Sequence, residues 1–359
     1  MTKVEVSQRW EIKTAAEVSS TDFANWQQLV EQHHQGNLML SGSFVQHLMQ
    51  VFQPEHYLAS CYQADELKVM LLLQPAKYGI WRLAQPSQAQ SALIVGAQHF
   101  QPDFALLLAN LPGLAWRFDF FCLDPQDHAA VIALLEQHSW EQIQQNITID
   151  CQQTFANYLQ QRPRKLRQNI SRYRNRLKSE SQTHRYVVYT EPTAVSAAVE
   201  RYGVLESRGW KGNLGTSLDP SNQQGNFYQL FLTEQAKHGQ ALAIELYIDQ
   251  QLAASRLCCF TPQLLLFLKT TYDENLKQLA PGRLLLVEVI NYVMANQLAR
   301  TIDFYTHATE EQIEWSSAVR PMFIGSFYRW HLLRKLEPTM KLIKKKLTLA
   351  TKNHNLTNS

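Results

Sequence analysis

One stretch near the C-terminal third, residues 264–315, limits the folds that this chain can adopt. It begins with an apolar, β-prone run of strand length at Leu264–Tyr272. After a polar, turn-like segment, Pro281 opens a long helical pattern, in a first turn where a missing N–H is tolerated. A second strand is predicted at residues 301–305. The order strand, helix, strand predicts a mixed α/β fold.

The start of this predicted helix is suited to an anion. The first-turn N–H groups of a helix are unpaired, and the helix dipole favours negative charge beside them. A strand that enters such a helix through a short loop containing glycine, here Gly282, therefore predicts a phosphate site. The alternative is an ordinary βαβ connection that holds no ligand.

Length, charge and cysteine usage narrow the class of protein. The chain of 359 residues suits two domains of about 150–170 residues each. Its net charge of +3 is too small for a whole-chain field that attracts nucleic acid. No apolar run approaches the ~18 residues of a membrane span, and the N-terminal residues lack the form of a signal peptide. Five cysteines without zinc-like spacing predict reduced thiols in a cytoplasm and no metal site.

The pattern of elements repeats along the chain. A predicted hairpin with its turn at residues 63–66 is echoed by one with its turn at residues 249–251. The strand at 118–120 is echoed in the same way by the strand at 302–304. Each half reads helix, helix, hairpin, strand, helix, strand. The sequence therefore predicts two copies of one α/β unit.

The echo also predicts a division of the chain. The first unit spans residues 1–150, with residues 147–149 as its last strand, and the second spans residues 151–333. The second unit has the better phosphate loop, so we expect the chemistry there. A basic tail, residues 334–359, follows.

Positive charge is concentrated in two segments. Residues 162–178 hold eight Lys or Arg and no acid, with apolar residues at helical spacing, which predicts an amphipathic helix with a basic outer face. That face is either solvated or a docking surface for the phosphates of a cofactor, a nucleic acid or an anionic lipid. Residues 334–346 hold six Lys or Arg and one acid. This helix either lies on an anionic membrane or packs on its own domain.

Motifs in the second half carry a family resemblance. They lie at residues 164–172 (basic helix), 207–210 (helix end), 248–253 (hairpin), 271–273 with 280–285 (strand end and helix start) and 302–304 (strand). Together they resemble the GNAT acetyltransferase superfamily and, more narrowly, the CelD/BcsL-like acetyltransferases, which are relatives of the FemABX transferases. The resemblance implies two tandem GNAT-like mixed α/β units, of which the second is more complete.

The chain departs from the family pattern at three places. Phe304 leads to Tyr305-Thr306-His307-Ala308, where the family strand usually continues Asp-Phe-x-x-Gly. Gln312 and Ile313 stand where the family has Tyr-Lys before a tryptophan, here Trp315. Pro281 removes one N–H donor from the segment that corresponds to the pyrophosphate loop.

The resemblance implies an acyl-CoA-dependent N- or O-acyltransferase. Acetyl-CoA or another acyl-CoA would be the co-substrate, and a small molecule or glycan precursor related to the envelope or to polysaccharides would be the acceptor. The thioester would lie along Leu264–Tyr272, with its diphosphate at the start of the following helix. The implied cofactor-binding residues are Lys277, Gln278, Gly282, Arg283 and Leu284.

Acyl transfer needs a base, a stabilised oxyanion and a proton for the leaving thiolate. We predict Asp303 as the base with His307 just beyond it, because a carboxylate orients an imidazole and raises its basicity. Glu245 is the next candidate, and Tyr272 is predicted to protonate the thiolate, with a purely structural role as its alternative. The predicted substrate-binding residues are Trp210, Arg256, Lys269 and Asp273. Arg256 and Lys269 have a second interpretation, pairing with Glu245, because charges are rarely buried unpaired.

Two other functions fit the same residues. One is a FemABX-type transferase that uses aminoacyl-tRNA and a lipid-linked acceptor. The other is a non-catalytic membrane-surface or assembly module with a degenerate GNAT fold. The expected location is the cytoplasm, with a peripheral position at the inner membrane face, through residues 334–346, as the alternative.

Overall fold

The strands of both halves of the chain form one continuous mixed sheet. The structure is a computed structural model that describes residues 7–34, 36–52, 55–136, 138–179, 183–209, 218–219, 221–330 and 332–334. Its strands are β1 Gln8–Thr14, β2 Tyr57–Gln63, β3 Glu66–Pro75, β4 Ile80–Leu83, β5 Ile94–Gly96, β6 Arg117–Leu123, β7 Ser139–Asp150, β8 His184–Tyr189, β9 Ala241–Ile248, β10 Gln251–Phe260, β11 Leu264–Tyr272, β12 Thr301–Asp303 and β13 Ala318–Tyr328.

Helices pack on both faces of this sheet. They are α1 Ser20–His33, α2 Gly42–Phe52, α3 Phe104–Asn110, α4 Pro125–Glu136, α5 Phe155–Gln160, α6 Arg164–Ser179, α7 Pro192–Ser207, α8 Gln223–Lys237, α9 Pro281–Ala295 and α10 Glu310–Ile313. The predicted amphipathic helix is confirmed as α6, whose apolar residues at helical spacing are buried. Across the described ranges, no helix combines the length and the apolar character needed to span a bilayer.

The strand order shows that the two halves have the same topology. The order is β1-β2-β3-β4-β6-β13-β7-β12-β11-β10-β9-β8, and β5 pairs with β3 outside this path. From either end, four antiparallel strands lead to one parallel pair, β4 with β6 and β11 with β12. The prediction of two tandem mixed α/β units is therefore confirmed.

The last strands of the two halves are exchanged. β7, from the first half, pairs with β12, and β13, from the second half, pairs with β6. The two exchanged strands pair with each other in the middle of the sheet. The unit limits of 1–150 and 151–333 remain a prediction, because the sheet is continuous across the two units.

The hairpins that echo each other in sequence have the same turn geometry. Ala64 and Asp65, between β2 and β3, have φ of 52° and 58°. Asp249 and Gln250, between β9 and β10, have φ of 47° and 65°. Two consecutive positive φ angles are typical of a type I′ turn, which suits the twist of a two-residue hairpin.

A shared hydrophobic core joins the halves on one face of the sheet. It contains side chains from α1 and α2 of the first half and from α7 and α8 of the second. Phe44 on α2 contacts Phe227 and Phe231 on α8, with ring centroids 5.6 and 5.5 Å apart. The opposite face carries separate cores, one beneath α6 and α9 and one beneath α3 and α4. The halves are thus fixed to each other through both the sheet and one helical layer.

Candidate functional site

β11 and β12 separate after a short parallel pairing. Residues 264–266 pair with Thr301–Asp303, whereas β11 continues to Tyr272 with β10 as its partner. Beyond β12 the chain follows β7 instead. The edge formed by residues 267–272 therefore has no strand partner within the described parts of the chain. Such an unpaired edge presents N–H and C=O groups that an extended ligand can bind.

The apex of this split is apolar and carries one buried cation. Phe267 and Phe304, each the first residue beyond the parallel pairing, contact each other with ring centroids 5.0 Å apart. The guanidinium carbon of Arg256 lies 4.1 Å from the Phe267 ring centroid. Arg256 is only 6% exposed, and no carboxylate among the described residues forms an ion pair with it. Burial lowers the pKa of Arg256 to about 10.

The start of α9 is at the other end of the unpaired edge. Ala280, the N-cap residue, has a left-handed φ of 53° and provides no side-chain cap. The N–H groups of Arg283 and Leu284 both donate to the carbonyl of Ala280, at 3.0 and 3.1 Å. Of the N–H groups of Gly282, Arg283 and Leu284, two are therefore already used, because the carbonyl of an N-cap residue accepts the first hydrogen bonds of its helix. The N–H of Gly282 has no acceptor among the described residues.

Arg283 is compensated by a neighbouring carboxylate. Its Nη2 lies 2.6 Å from Oε1 of Glu311, and its Nη1 donates to the hydroxyl of Tyr173. Burial lowers the pKa of Arg283, but the hydrogen bond and charge of Glu311 outweigh burial and raise it overall. The predicted phosphate-binding cation is therefore present at the helix start, but an anionic ligand must compete with Glu311 for it.

The other predicted cofactor residues divide between surface and core. Lys277 and Gln278 are exposed on the 3₁₀ turn Glu274–Leu279 that precedes α9. The carbonyl of Gln278 accepts a hydrogen bond from Arg176 of α6 at 2.5 Å, which places the basic face of α6 beside the loop. Leu284 is 2% exposed and belongs to the core.

The predicted pairing of Asp303 with His307 is wrong. Asp303 is 4% exposed; its Oδ2 accepts from Nη2 of Arg320 at 2.6 Å and its Oδ1 from the N–H of Tyr305 at 2.6 Å. His307 is exposed, and its Nδ1 accepts the N–H of Gln145 at 3.2 Å. The two side chains are separated because the chain bends along β7 after β12.

Tyr272 does not lie with Asp303 either. Asp303 pairs with Leu266, six residues before Tyr272, which corresponds to about 20 Å along a strand. Tyr272 is 44% exposed and packs against the start of α9, where a Cβ added to Gly282 would lie 3.2 Å from its ring. The structure therefore places Tyr272 at the helix start and not at the apex of the split.

Two other predicted residues, Glu245 and Lys269, have structural partners. Glu245 is 0% exposed; it pairs with Arg201 at 3.1 Å and accepts from the hydroxyl of Tyr247 at 2.6 Å. The interpretation in which Arg256 and Lys269 pair with Glu245 is thus wrong, and Nζ of Lys269 lies 5.3 Å from the ring of Tyr228.

Asp273 caps the 3₁₀ turn before α9. Its Oδ1 accepts the N–H of Asn275 at 2.9 Å and its Oδ2 accepts from Gln251 at 2.8 Å. The side chain is 6% exposed, so its predicted substrate contact is replaced by a local structural one. Trp210 and the tail at residues 335–359 lie outside the described residues.

The sequence did not reveal one charged network at the junction of the halves. Arg320 on β13 pairs with Asp303 and also with Asp124, whose Oδ2 lies 2.9 Å from its Nε. Burial raises the pKa of Asp124 to about 6, against the opposing effect of Arg320. No group of three or more His, Cys, Asp or Glu within the described ranges is arranged to hold a metal ion.

Comparison with known proteins finds a family match in the second half. Residues 164–312 match the family described as "Acetyltransferase (GNAT) domain", a segment that contains α6, the split between β11 and β12, and the start of α9. The match spans less than half of the chain and leaves the first half unassigned. No curated protein matches the chain.

Solved structures are similar in fold only. FemX has a TM-score of 0.57 at 10% identity, with 89% of this chain and 97% of FemX covered. L-PGS from Bacillus licheniformis has a TM-score of 0.51 at 11% identity, with 90% of this chain and 96% of L-PGS covered. A conserved protein of unknown function from Bacteroides thetaiotaomicron has a TM-score of 0.52 at 9% identity, with 89% and 100% covered. The coverage shows that the whole two-unit arrangement, and not only its second half, recurs in known structures.

Proposed function

We propose that the protein is an acyltransferase that takes its acyl group from an acyl-CoA bound in the split between β11 and β12. The observation that carries this proposal is the unpaired edge of β11 at residues 267–272, which leads directly to the uncapped start of α9. An extended arm and a terminal phosphate group match these two features in order. The GNAT domain match over residues 164–312 supports the same assignment.

The donor has one orientation in this proposal. Its diphosphate meets the N–H of Gly282, the positive end of the α9 dipole and Arg283, after displacing Glu311. Its arm then runs back along β11 to Phe267, about 16 Å at the rise of an extended strand. The thioester thus reaches the apex, beside Arg256.

The chain's residues serve the steps of acyl transfer at that apex. The nucleophile of the acceptor attacks the thioester carbonyl, and the guanidinium of Arg256 stabilises the negative charge that develops on the carbonyl oxygen. The carbon–sulfur bond then breaks, and the thiolate leaves and is protonated from solvent. Asp303, in the last residue pair before the split, accepts the proton of the nucleophile directly or through one water. Tyr272 is reassigned to the diphosphate end.

The acceptor and the narrower family remain proposals. The motif at residues 271–273 with 280–285 supports a CelD/BcsL-like enzyme and an acceptor related to the envelope or to polysaccharides. The basic tail at residues 334–346 supports a peripheral position at an anionic membrane face.

One observation favours a second candidate donor. The exposed outer face of α6 presents Arg164, Arg167, Arg172 and Arg176 in a row that ends beside the start of α9. Arginine is suited to the phosphodiester backbone of a nucleic acid. A donor carried on tRNA, which the FemABX resemblance implies, would extend along this face.

Calorimetric titration distinguishes these candidates. We expect CoA and acetyl-CoA to bind the wild-type protein, and the variant Arg283→Glu to bind them at least about tenfold more weakly, because charge reversal adds repulsion at the helix start. Arg185→Glu, on β8, is the matched control because Arg185 contacts Tyr247 at the far edge of the sheet. Binding of aminoacyl-tRNA without CoA would replace the first proposal by the second. Binding of neither would favour a non-catalytic module.

A further inference from the structure

Arg256 on β10 is a buried cation that has no partner of opposite charge. The residue is 6% exposed, and its guanidinium carbon lies 4.1 Å from the ring centroid of Phe267. None of its nitrogens donates a hydrogen bond to a described residue, and no described carboxylate acts on it. A buried charge is costly unless it is paired, so the stability of the fold does not explain why a cation stands here.

The two groups that act electrostatically on Arg256 are neutral. They are the thiol of Cys258 and the hydroxyl of Tyr202. Burial raises the pKa of Cys258 to about 12 and raises the pKa of Tyr202 well above its usual value. Burial lowers the pKa of Arg256 only to about 10, so at neutral pH the guanidinium is charged and both neighbours are uncharged. Within the described part of the protein, the positive charge is therefore uncompensated.

The terminal N–H groups of Arg256 can reach a ligand at the apex of the split. Nε is enclosed and unpaired, whereas Nη1 and Nη2 are unpaired and retain accessible surface. The ring of Phe267, which the guanidinium covers, contacts Phe304 at the point where β11 and β12 separate. The thioester of the proposed donor reaches this point, so the acyl group that it carries lies beside these N–H groups.

The charge of the acyl group decides how it interacts with Arg256. A neutral group such as acetyl leaves the buried guanidinium without a partner. An aminoacyl group brings an ammonium, which repels the guanidinium strongly where the effective dielectric constant is low. A carboxylate instead pairs with the guanidinium through charge-assisted hydrogen bonds. Of the three classes, only an acyl group with a carboxylate removes the cost of the unpaired cation.

We propose that the acyl group carries a terminal carboxylate, that the preferred donor is the CoA thioester of a short dicarboxylic acid such as malonate or succinate, and that Arg256 determines this specificity. The position of the acyl group rests on the proposed function. A guanidinium has five N–H donors in a planar fork, so Arg256 can hold the carboxylate while another N–H faces the thioester carbonyl. The carboxylate takes no part in the transfer, in which the nucleophile displaces the thiolate at the thioester carbonyl.

Calorimetric titration with matched pairs of acyl-CoA tests this specificity. Succinyl-CoA and butyryl-CoA have acyl groups with the same number of carbons, as do malonyl-CoA and propionyl-CoA, and only the first of each pair carries a carboxylate. In at least one pair, we expect the wild-type protein to bind the charged member about tenfold or more tightly than the neutral one, because the carboxylate gains hydrogen bonds to a charged group.

Substitutions of Arg256 assign the preference to this side chain. Arg256→Gln removes the charge and should remove the preference for the charged member of the pair, whereas Arg256→Lys keeps the charge and should retain part of the preference. Arg185→Gln is the matched control, because Arg185 makes a similar contact, 4.3 Å from the ring centroid of Tyr247, on the edge strand β8. This control should keep the full preference.

The possible results separate the specificity from the proposed function. Equal binding of the charged and neutral members in both pairs would overturn the specificity and leave the donor site in place. A preference that persists in Arg256→Gln would overturn the role of Arg256. If Arg256→Gln does not fold, Arg256→Met provides the same comparison with an apolar side chain. Binding of no acyl-CoA by the wild-type protein would overturn the proposed function, and the specificity with it.

Discussion

The two halves of the molecule share a topology but differ in what lies beside their parallel strand pairs. In the first half, β4 and β6 pair over residues 80–82 and 117–119. The chain after β4 then fills the adjacent space: the N–H of Ala84 donates to Leu72 at 2.8 Å and the N–H of Ala92 donates to Cys122 at 3.0 Å. In the second half, β11 and β12 separate with no such filling segment among the described residues. The first half thus fills the space beside its parallel strand pair, whereas the second half leaves it open.

The helices that follow show the same contrast. In the first half, α3 has seven residues, and Asp103 caps it by accepting the N–H of Leu106 at 2.9 Å. In the second half, α9 has 15 residues and begins at Ala280 without a side-chain cap. The cap of α3 satisfies the N–H of Leu106, whereas the start of α9 keeps the N–H of Gly282 without an acceptor among the described residues. Among the described residues, only the second half therefore combines an unpaired strand edge with a free helix N–H, the two features on which the proposed donor site rests.

The largest expected effect is a difference in stability between variants of two buried arginines. Arg320→Met leaves Asp124 and Asp303 without their cation, so we expect a loss of ~3–5 kcal/mol in the free energy of unfolding. Arg256→Met removes a buried cation that has no carboxylate partner among the described residues, so Tm should stay the same or rise. Urea denaturation of both variants measures the difference.

The kcat of the Arg256→Met variant gives a second test of the role of Arg256. If it stabilises the oxyanion, Arg256→Met lowers kcat by about 10²-fold in a protein that is no less stable. A fall in Tm as large as that of Arg320→Met would mean that Arg256 has a structural role, and it would remove the cation from the donor site.

Asp124, which lies in the charged network at the junction of the halves, should make stability depend on pH. The pKa of Asp124 is raised to about 6, above the ~3.9 of an unfolded aspartate, so the folded state binds this proton more tightly. Stability is therefore expected to fall as pH rises from about 4 to about 6, by roughly 1–3 kcal/mol. Asp124→Asn should remove this slope, whereas Asp303→Asn should only reduce it, because the charge of Asp303 contributes to the raised pKa of Asp124. A slope that persists in Asp124→Asn would assign the proton elsewhere.

Substituting the N-cap residue of α9 should weaken CoA binding, whereas substituting the N-cap residue of α3 should not. Ala280→Asp places a carboxylate where the diphosphate is proposed to bind, so the affinity for CoA should fall about tenfold or more. Asp103→Ala in the first half removes a cap, which costs about 1 kcal/mol of stability and should not change CoA binding. Calorimetry and denaturation of both variants measure these effects. Equal CoA affinity in Ala280→Asp and the wild type would place the donor elsewhere.

The smallest effect concerns the competition for Arg283. Glu311→Gln frees Arg283 from its ion pair, so CoA should bind about 1.4- to fivefold more tightly, the range that corresponds to an exposed pair worth ~0.2–1 kcal/mol. The gain should decrease at high salt because both side chains are partly exposed. Glu310→Gln on the same helix is the control. Weaker CoA binding by Glu311→Gln would show that Glu311 helps to hold the donor.

The fold was predictable where strands pair with their neighbours in sequence and the hydrophobic pattern marks each strand or helix. The apolar runs of β9, β10 and β11, the amphipathic α6 and the paired hairpin turns gave two similar units. Most of β7 was missed, with only residues 147–149 predicted, because residues 139–146 are largely polar and form a strand only through pairing with β13. The exchange of last strands left no local signal for the same reason.

The site was predictable in part. The split strands and the uncapped helix start follow from the motif at residues 271–285. The partners of Asp303 do not, because Arg320 and Asp124 come from β13 and the loop before α4 and meet only after the strand exchange. The left-handed backbone of Ala280 at the start of α9 does not follow from the sequence either, because L residues rarely adopt it and an alanine gives no sign of it.

Hydrogen–deuterium exchange with and without CoA tests the central difference between the halves most directly. We predict that CoA slows exchange at residues 267–272 and at Gly282, where β11 and α9 offer free donors, and leaves residues 80–96 of the first half unchanged. Protection of the first-half segment, or no protection at the edge of β11 under conditions in which CoA binds, would contradict the assignment of the donor site to the second half.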